Sequence, residues 1–133
     1  MPFRHVIDIL TDKLRSDGIS TEVIQGSVGA TARTNIFRQF QEASNPRVLV
    51  IQPASAAHGV TLTAANTVIW WSPVSSLETY AQANARVHRS GQKHKCTVVQ
   101  LQGSDAEKHV YRLLDSRINI HTKIIDLYKE ILD

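Results

Sequence analysis

Hydrophobic positions alternate between two kinds of pattern along the chain. Phe3, Val6, Ile7, Leu10 and Leu14 recur at i, i+3, i+4, i+7 and i+11, the spacing that collects apolar side chains on one face of a helix. Gly18 follows where a left-handed C-terminal cap would end that helix. Residues 21–25 then read as a short strand running into Gly26, and a second helix carries Ile36, Phe37 and Phe40 on one face. Residues 47–51, 67–71 and 96–101 are further short runs, apolar and rich in β-branched side chains. Such runs between helical stretches predict parallel strands covered on both faces. Their alternation with helices predicts a layered α/β domain.

Two helix starts carry capping boxes, Ser75-Ser76-Leu77-Glu78 and Ser104-Asp105-Ala106-Glu107. The second opens a helix with Ala106, Val110, Leu113 and Leu114 as its expected buried stripe, and a last helix carries Ile124, Ile125, Tyr128, Ile131 and Leu132. The first opens a helix expected to run towards Gly91. At about 100° per residue, Tyr80, Ala81, Asn84 and His88 fall near Leu77 on the core side. Gln82, Arg86 and Arg89 then share the opposite side at i, i+4 and i+7. Guanidinium groups are planar, permanently charged and bind phosphate oxygens in pairs, so two of them with an amide suit a phosphoryl group. A solvated helix face is the plainer reading of the same stripe.

Composition narrows the class without choosing a function. The 133 residues allow one domain with a core of its own. An apolar share of 42% with only 6 Gly and 4 Pro excludes disordered and low-complexity classes. No apolar run reaches the roughly 18 residues of a membrane-spanning helix, and residues 1–5 show no apolar stretch of secretory-leader length. The single cysteine, Cys96, forms no internal disulfide and suits a reducing, intracellular setting. The expectation is a cytoplasmic protein, with the nucleus left open. A net charge of +3 permits an anionic partner without naming one. His88, His94 and Cys96 lack paired metal-ligand spacing, so no metal site is expected.

The segment Gln82-Ala83-Asn84-Ala85-Arg86-Val87-His88-Arg89-Ser90-Gly91-Gln92 resembles motif VI of the Swi/Snf family of superfamily-two, helicase-like, DNA-dependent ATPases. The family pattern Q-A-x-x-R-x-H-R-x-G-Q is met at all seven fixed positions in these eleven residues. Upstream, residues 55–69 look like motif V, with Gly59 as its last glycine and Thr61 at the asparagine position; His58 stands where the family has a small residue. Gln25-Gly26-Ser27, with Arg33 and Phe40, resembles the D-G-S…R…F segment, its leading Asp replaced by Gln. The resemblance covers Phe3 to about Leu114.

The resemblance implies a RecA-like α/β/α fold, a parallel sheet with helices on both faces plus C-terminal helices. Residues 1–103 would be the helicase C-terminal lobe and 104–133 its helical extension. It implies Arg89 as an arginine finger, Arg86 as a second phosphate contact, and Gln82 orienting them or touching the nucleotide. Gly59 and Thr61 would face ATP, and Ser27, Arg33 and Ser55 a DNA backbone. For three of these, plainer readings stand beside the implied ones. Ser27 either touches DNA or caps the helix after it, Arg33 is otherwise an exposed helix residue, and Ser55 otherwise closes a turn. One of Trp70 and Trp71 is expected in the core. The implied cofactor is ATP with Mg²⁺, held mainly by an N-terminal lobe, and the implied partners are DNA and that lobe, with no membrane.

The sequence contains no G-x-x-x-x-G-K-[S/T] and no two adjacent acidic residues, so it has no phosphate loop and no D-E-x-H. The expectation is therefore a half-enzyme, inactive alone. A non-catalytic DNA- or protein-binding module that keeps the lobe fold is the alternative. The family also places an apolar strand before the residue matched by Phe3, inside the sheet. Without it, two neighbouring strands would lack a backbone partner, the expected cause being truncation or a gene fragment, with strand donation and self-association through that gap as the rival.

Overall fold

The computed structural model describes residues 2–53, 60–74 and 76–132, with the side chains of 2–4, 121–123, 125, 128, 131 and 132 left out. Helix α1 (Pro2–Ser16) is the first amphipathic stretch. It ends as the sequence suggests: Gly18 sits at φ +81°. The Ile19 N–H reaches the Leu14 carbonyl at 3.0 Å and the Gly18 N–H the Arg15 carbonyl at 3.0 Å, which together satisfy carbonyls the helix leaves free. The Arg15 guanidinium then donates to the Thr21 carbonyl through two nitrogens, at 2.8 and 3.2 Å, and fixes the entry to the first strand.

The strands are β1 (Thr21–Ile24), β2 (Val48–Ile51), β3 (Thr67–Trp70) and β4 (Thr97–Gln100), with α2 (Ala30–Glu42) between the first two and α3 (Leu77–Ala85) between the last two. β1 pairs in parallel with β2, Thr21 beside Val48, and β3 in parallel with β4, Thr67 beside Thr97. The α/β class and the parallel pairing agree with the sequence reading. The ladder does not run through: among the described residues it consists of two two-stranded sheets.

One buried cluster nevertheless spans both sheets. Ile24, Phe37, Leu62 and Val87 form its centre, and Leu49, Ile51 and Val68 pack against it. A second cluster joins Trp70, Tyr80, Tyr111 and Leu114, with the Trp70 and Tyr80 rings 4.8 Å apart. Trp70 is therefore core, whereas Trp71 is 53% exposed.

Several helix boundaries differ from expectation. The N-cap of α3 is Ser76, which accepts from Thr79 N–H; Ser75 lies outside the described residues. The cap at Ser104 forms with the return bond shifted by one residue, Glu107 N–H donating to the Ser104 hydroxyl at 3.2 Å while the Glu107 carboxylate accepts from Gly103 N–H at 2.8 Å. The two expected C-terminal helices are one, α4 (Asp105–Leu132), because no Gly or Pro interrupts them. Its buried stripe is turned from the expected one. Tyr111 and Leu114 are buried while Leu113 is exposed, and Ala106 is exposed too.

Candidate nucleotide and nucleic-acid site

The site is built where α3 stops. The helix ends at Ala85, short of Gly91, and the carbonyls of the next two residues, which a longer helix would use, are taken by other partners. Arg86 O accepts from Leu62 N–H at 2.8 Å, and Val87 O accepts from the Gln92 side-chain amide at 2.9 Å. Val87 is drawn into the core at 5% exposure. An irregular turn follows and closes at Gly91, whose φ of +95° favours glycine.

Gln82, Arg86 and Arg89 therefore do not form one helical face. Gln82 is half-buried on α3 and donates to Glu78 Oε1 at 3.1 Å. Arg86, half-buried, is the C-cap of α3. Arg89 lies in the turn, exposed, with Nη1 donating to Val60 O at 3.3 Å. His88 is exposed and not the packed core residue that a continued helix would make it.

The segment from Val60 to Ala65 lies against this turn. Val60 O holds Arg89 and Leu62 N–H holds Arg86, so exposed Thr61 sits between the two arginine attachments. Two glutamines fix the segment from either side. Gln92 Nε2 donates to Ala65 O at 2.7 Å, while its oxygen accepts from His94 N–H at 3.1 Å. Gln41, on α2, donates to the Thr63 hydroxyl at 2.8 Å and accepts from Ala64 N–H at 2.9 Å. Sequence reading gave Gln92 only as a motif letter and missed Gln41 altogether. A clamping amide has no spacing signature, and only the fold brings its carbonyls near.

Of the second expected group, Ser27 and Arg33 lie among the described residues. Gly29 is the N-cap of α2, with no side-chain bond, so Ser27 is not its cap and stands exposed. Arg33 is half-buried rather than a plain exposed residue. Its Nη2 lies 3.4 Å from both Gln25 O and Val28 O, bracketing the turn that carries Ser27. Ser55, His58 and Gly59 lie outside the described residues.

Away from this turn, polar groups tie β4, α3 and α4 together. Tyr80 donates to Asp115 Oδ1 at 3.1 Å, and Gln100 Nε2 reaches the Tyr80 hydroxyl at 2.8 Å and Asp115 Oδ2 at 3.0 Å. Tyr111 donates to Trp70 O at 3.3 Å. Burial raises the pKa of Tyr80, and that of Tyr111 is pushed up to about 12, by burial first and by the charges of Glu107 and Tyr80 next. These phenols are structural donors that keep their protons.

In chemistry, the donors in the turn suit an anion. The exposed Arg89 guanidinium beside the segment that carries the exposed Thr61 hydroxyl is the kind of donor set that fits phosphate oxygens. Magnesium finds no fit: among the described residues no three acidic, histidine or cysteine side chains cluster.

Comparison with known proteins gives the family and the fold. Residues 1–91 match the family described as "Helicase conserved C-terminal domain". The chain is 34% identical over 125 residues to chromodomain-helicase-DNA-binding protein 1-like of Mus musculus, covering 92% of this chain and 14% of that protein. It is 31% identical over 121 residues to transcription termination factor 2 of Drosophila melanogaster, covering 86% of this chain and 11% of that one. The chain thus spans about one-seventh or less of either relative. The fold superposes with a TM-score of 0.74 on the C-terminal part of the Fun30 ATPase domain, at 24% identity, over 84% of this chain and 36% of that one. It also reaches 0.74 on the C-terminal domain of the DEAD-box protein Dbp5, at 16% identity, over 86% of this chain and 64% of that one. The chain belongs to the helicase conserved C-terminal domain family, as a RecA-like C-terminal lobe of the Swi/Snf type.

Proposed function

We propose that this chain is the half of an ATP-driven DNA translocase that supplies arginines to a nucleotide held by another lobe. The supporting observation is the turn after α3, where Arg89 is exposed and Thr61 lies between the attachments of Arg86 and Arg89. In this reading Arg89 leaves its long bond to Val60 O and donates to the phosphate end of ATP, as an arginine finger. Arg86, anchored through its own carbonyl, is the second phosphate contact. Gln82 positions the arginines from α3, and Gly59 and Thr61 line the nucleotide side. Ser27, Arg33 and Ser55 follow a DNA backbone, where hydroxyls and guanidiniums bind phosphates without reading sequence.

ATP with Mg²⁺ supplies the phosphoryl group and most of its own charge neutralisation, and the metal's ligands belong to the other lobe. This chain's part is positive charge aimed where negative charge grows. The isolated chain is then expected to show no steady ATP turnover, with or without DNA; phosphate release from rigorously clean protein contradicts the half-enzyme.

A second reading, a non-catalytic DNA- or protein-binding module, is favoured by one feature: Ile120, Ile124 and Leu127 of α4 are each more than half exposed. Fluorescence anisotropy with labelled DNA across a salt series separates the two. A steep fall of affinity with salt supports the module, and no detectable binding by the isolated chain favours the half-enzyme.

A further inference from the structure

Thr61 and the carbonyl that holds Arg89 both belong to residues 60–65, a stretch with no helix or strand of its own. Its position is therefore set by what grips it. Leu62 N–H donates to Arg86 O at 2.8 Å, and Ala65 O accepts from Gln92 at 2.7 Å. Both partners come from the turn that carries the arginines, so these bonds join segment to turn. Burial of Leu62 and Val87, each 5% exposed, fixes one point on either side. Apolar burial is non-directional, so orientation about those points is left to hydrogen bonds from elsewhere.

Gln41 supplies them. It stands in the last turn of α2, a helix seated on the same core cluster by Ile36, Phe37 and Phe40. Its Nε2 donates to the Thr63 hydroxyl at 2.8 Å, and its Oε1 accepts from Ala64 N–H at 2.9 Å. A planar amide that grips at two points fixes direction as well as distance. Among the described residues no other side chain bonds to residues 60–65 from outside the arginine turn.

From this grip we infer that Gln41 is a positioning residue for the arginine site, holding Val60 O and Thr61 where Arg89 meets the phosphate end of a nucleotide. The inference rests on the arginine reading proposed above. Gln41 touches no reacting atom in it, and its action passes through Thr63 and Ala64. Without the grip Arg89 is still present but is aimed from a segment that can turn. A misplacement of about 1 Å from a change far from the chemistry can cost about 10²-fold in rate. ATP, held mainly by the other lobe, binds much as before. The signature is a fall in kcat at nearly constant KM.

The chemistry of the grip also fixes which substitute works. A carboxylate at position 41 accepts from Ala64 N–H as the amide does, and the Thr63 hydroxyl rotates to donate to its other oxygen. Leucine suits a helix but offers neither bond. Position 41 is half-buried, so neither change opens a cavity in the core.

DNA-stimulated ATP turnover by a two-lobe enzyme with this chain as its C-terminal lobe tests the inference, comparing the parent with Gln41→Leu, Gln41→Glu and Arg89→Ala. For Gln41→Leu, kcat is expected to fall about tenfold or more, with KM for ATP within about twofold of the parent's. Gln41→Glu is expected to keep most of the parental kcat. In the full chain alone, Gln41→Leu is expected to speed amide exchange at Ala64 while the melting temperature stays close to the parent's. A parental kcat in Gln41→Leu, a raised KM at unchanged kcat, unchanged exchange at Ala64, or Gln41→Glu as slow as Gln41→Leu overturns the inference. If Arg89→Ala loses turnover beside a fully active Gln41→Leu, the inference fails alone. If Arg89→Ala keeps its turnover, the arginine reading fails and takes the inference with it.

Discussion

Gln92 and Tyr111 show how single side chains hold, respectively, the turn after α3 and the core beside α4. Gln92 uses both halves of its amide to tie the turn after α3 to the Val60–Ala65 segment. Gln92→Ala leaves two carbonyls and an N–H without that partner, and destabilisation of about 1–3 kcal/mol is expected. A lower urea midpoint with an unchanged m-value checks this; an unchanged midpoint removes the clamp. Tyr111 gives a pH prediction. Its pKa is raised from 10.0 to about 12, so the folded state favours the protonated phenol. That stability is intact below pH 10 and falls as pH rises through 10 towards 12. Thermal melts between pH 9 and 11 are expected to decline more steeply for the parent than for Tyr111→Phe, and parallel profiles contradict the assignment. At this scale the sequence named the chemistry-bearing letters, Arg86 and Arg89 among them, because motif VI is dense. It did not reveal Gln41, whose role depends on α2 passing the segment at Thr63 and Ala64.

Helix ends explain where the elements matched their sequence signals and where they departed. The cap of α1 and the cap at Ser104 were readable because both are local: Gly18 needs only its own positive φ, and Ser104 and Glu107 are three residues apart. Ser104→Ala is expected to destabilise the lobe by about 1 kcal/mol, seen as a lower melting temperature with unchanged secondary structure by circular dichroism. A melting temperature equal to the parent's shows that the cap is not needed. The end of α3 was not readable, since no breaker lies in residues 82–90 and nothing there announces that the carbonyls of Arg86 and Val87, just past the helix, will go to Leu62 and Gln92. That non-local competition moves Arg89 off the helix and leaves His88 exposed. A periodicity argument extends a helix until a breaker appears; here the breaker was tertiary.

The parallel α/β plan of the whole molecule was legible from short apolar runs between amphipathic stretches. The split into two sheets was not, because a run such as residues 48–51 reads the same whether both its edges are paired or one is open. The same limit applies to function. Motif letters identify a lobe, and the fold sets the segment of Thr61 against the turn of Arg86 and Arg89, but the proposed reaction needs groups this sequence does not contain. The most direct test of the account is DNA-stimulated ATP turnover by a two-lobe enzyme in which this chain replaces the C-terminal lobe of a Swi/Snf relative. Changing Arg89→Ala there is expected to lower turnover by about 10³-fold or more while DNA affinity stays within a factor of about two. An Arg89→Ala enzyme that keeps most of its turnover contradicts the account.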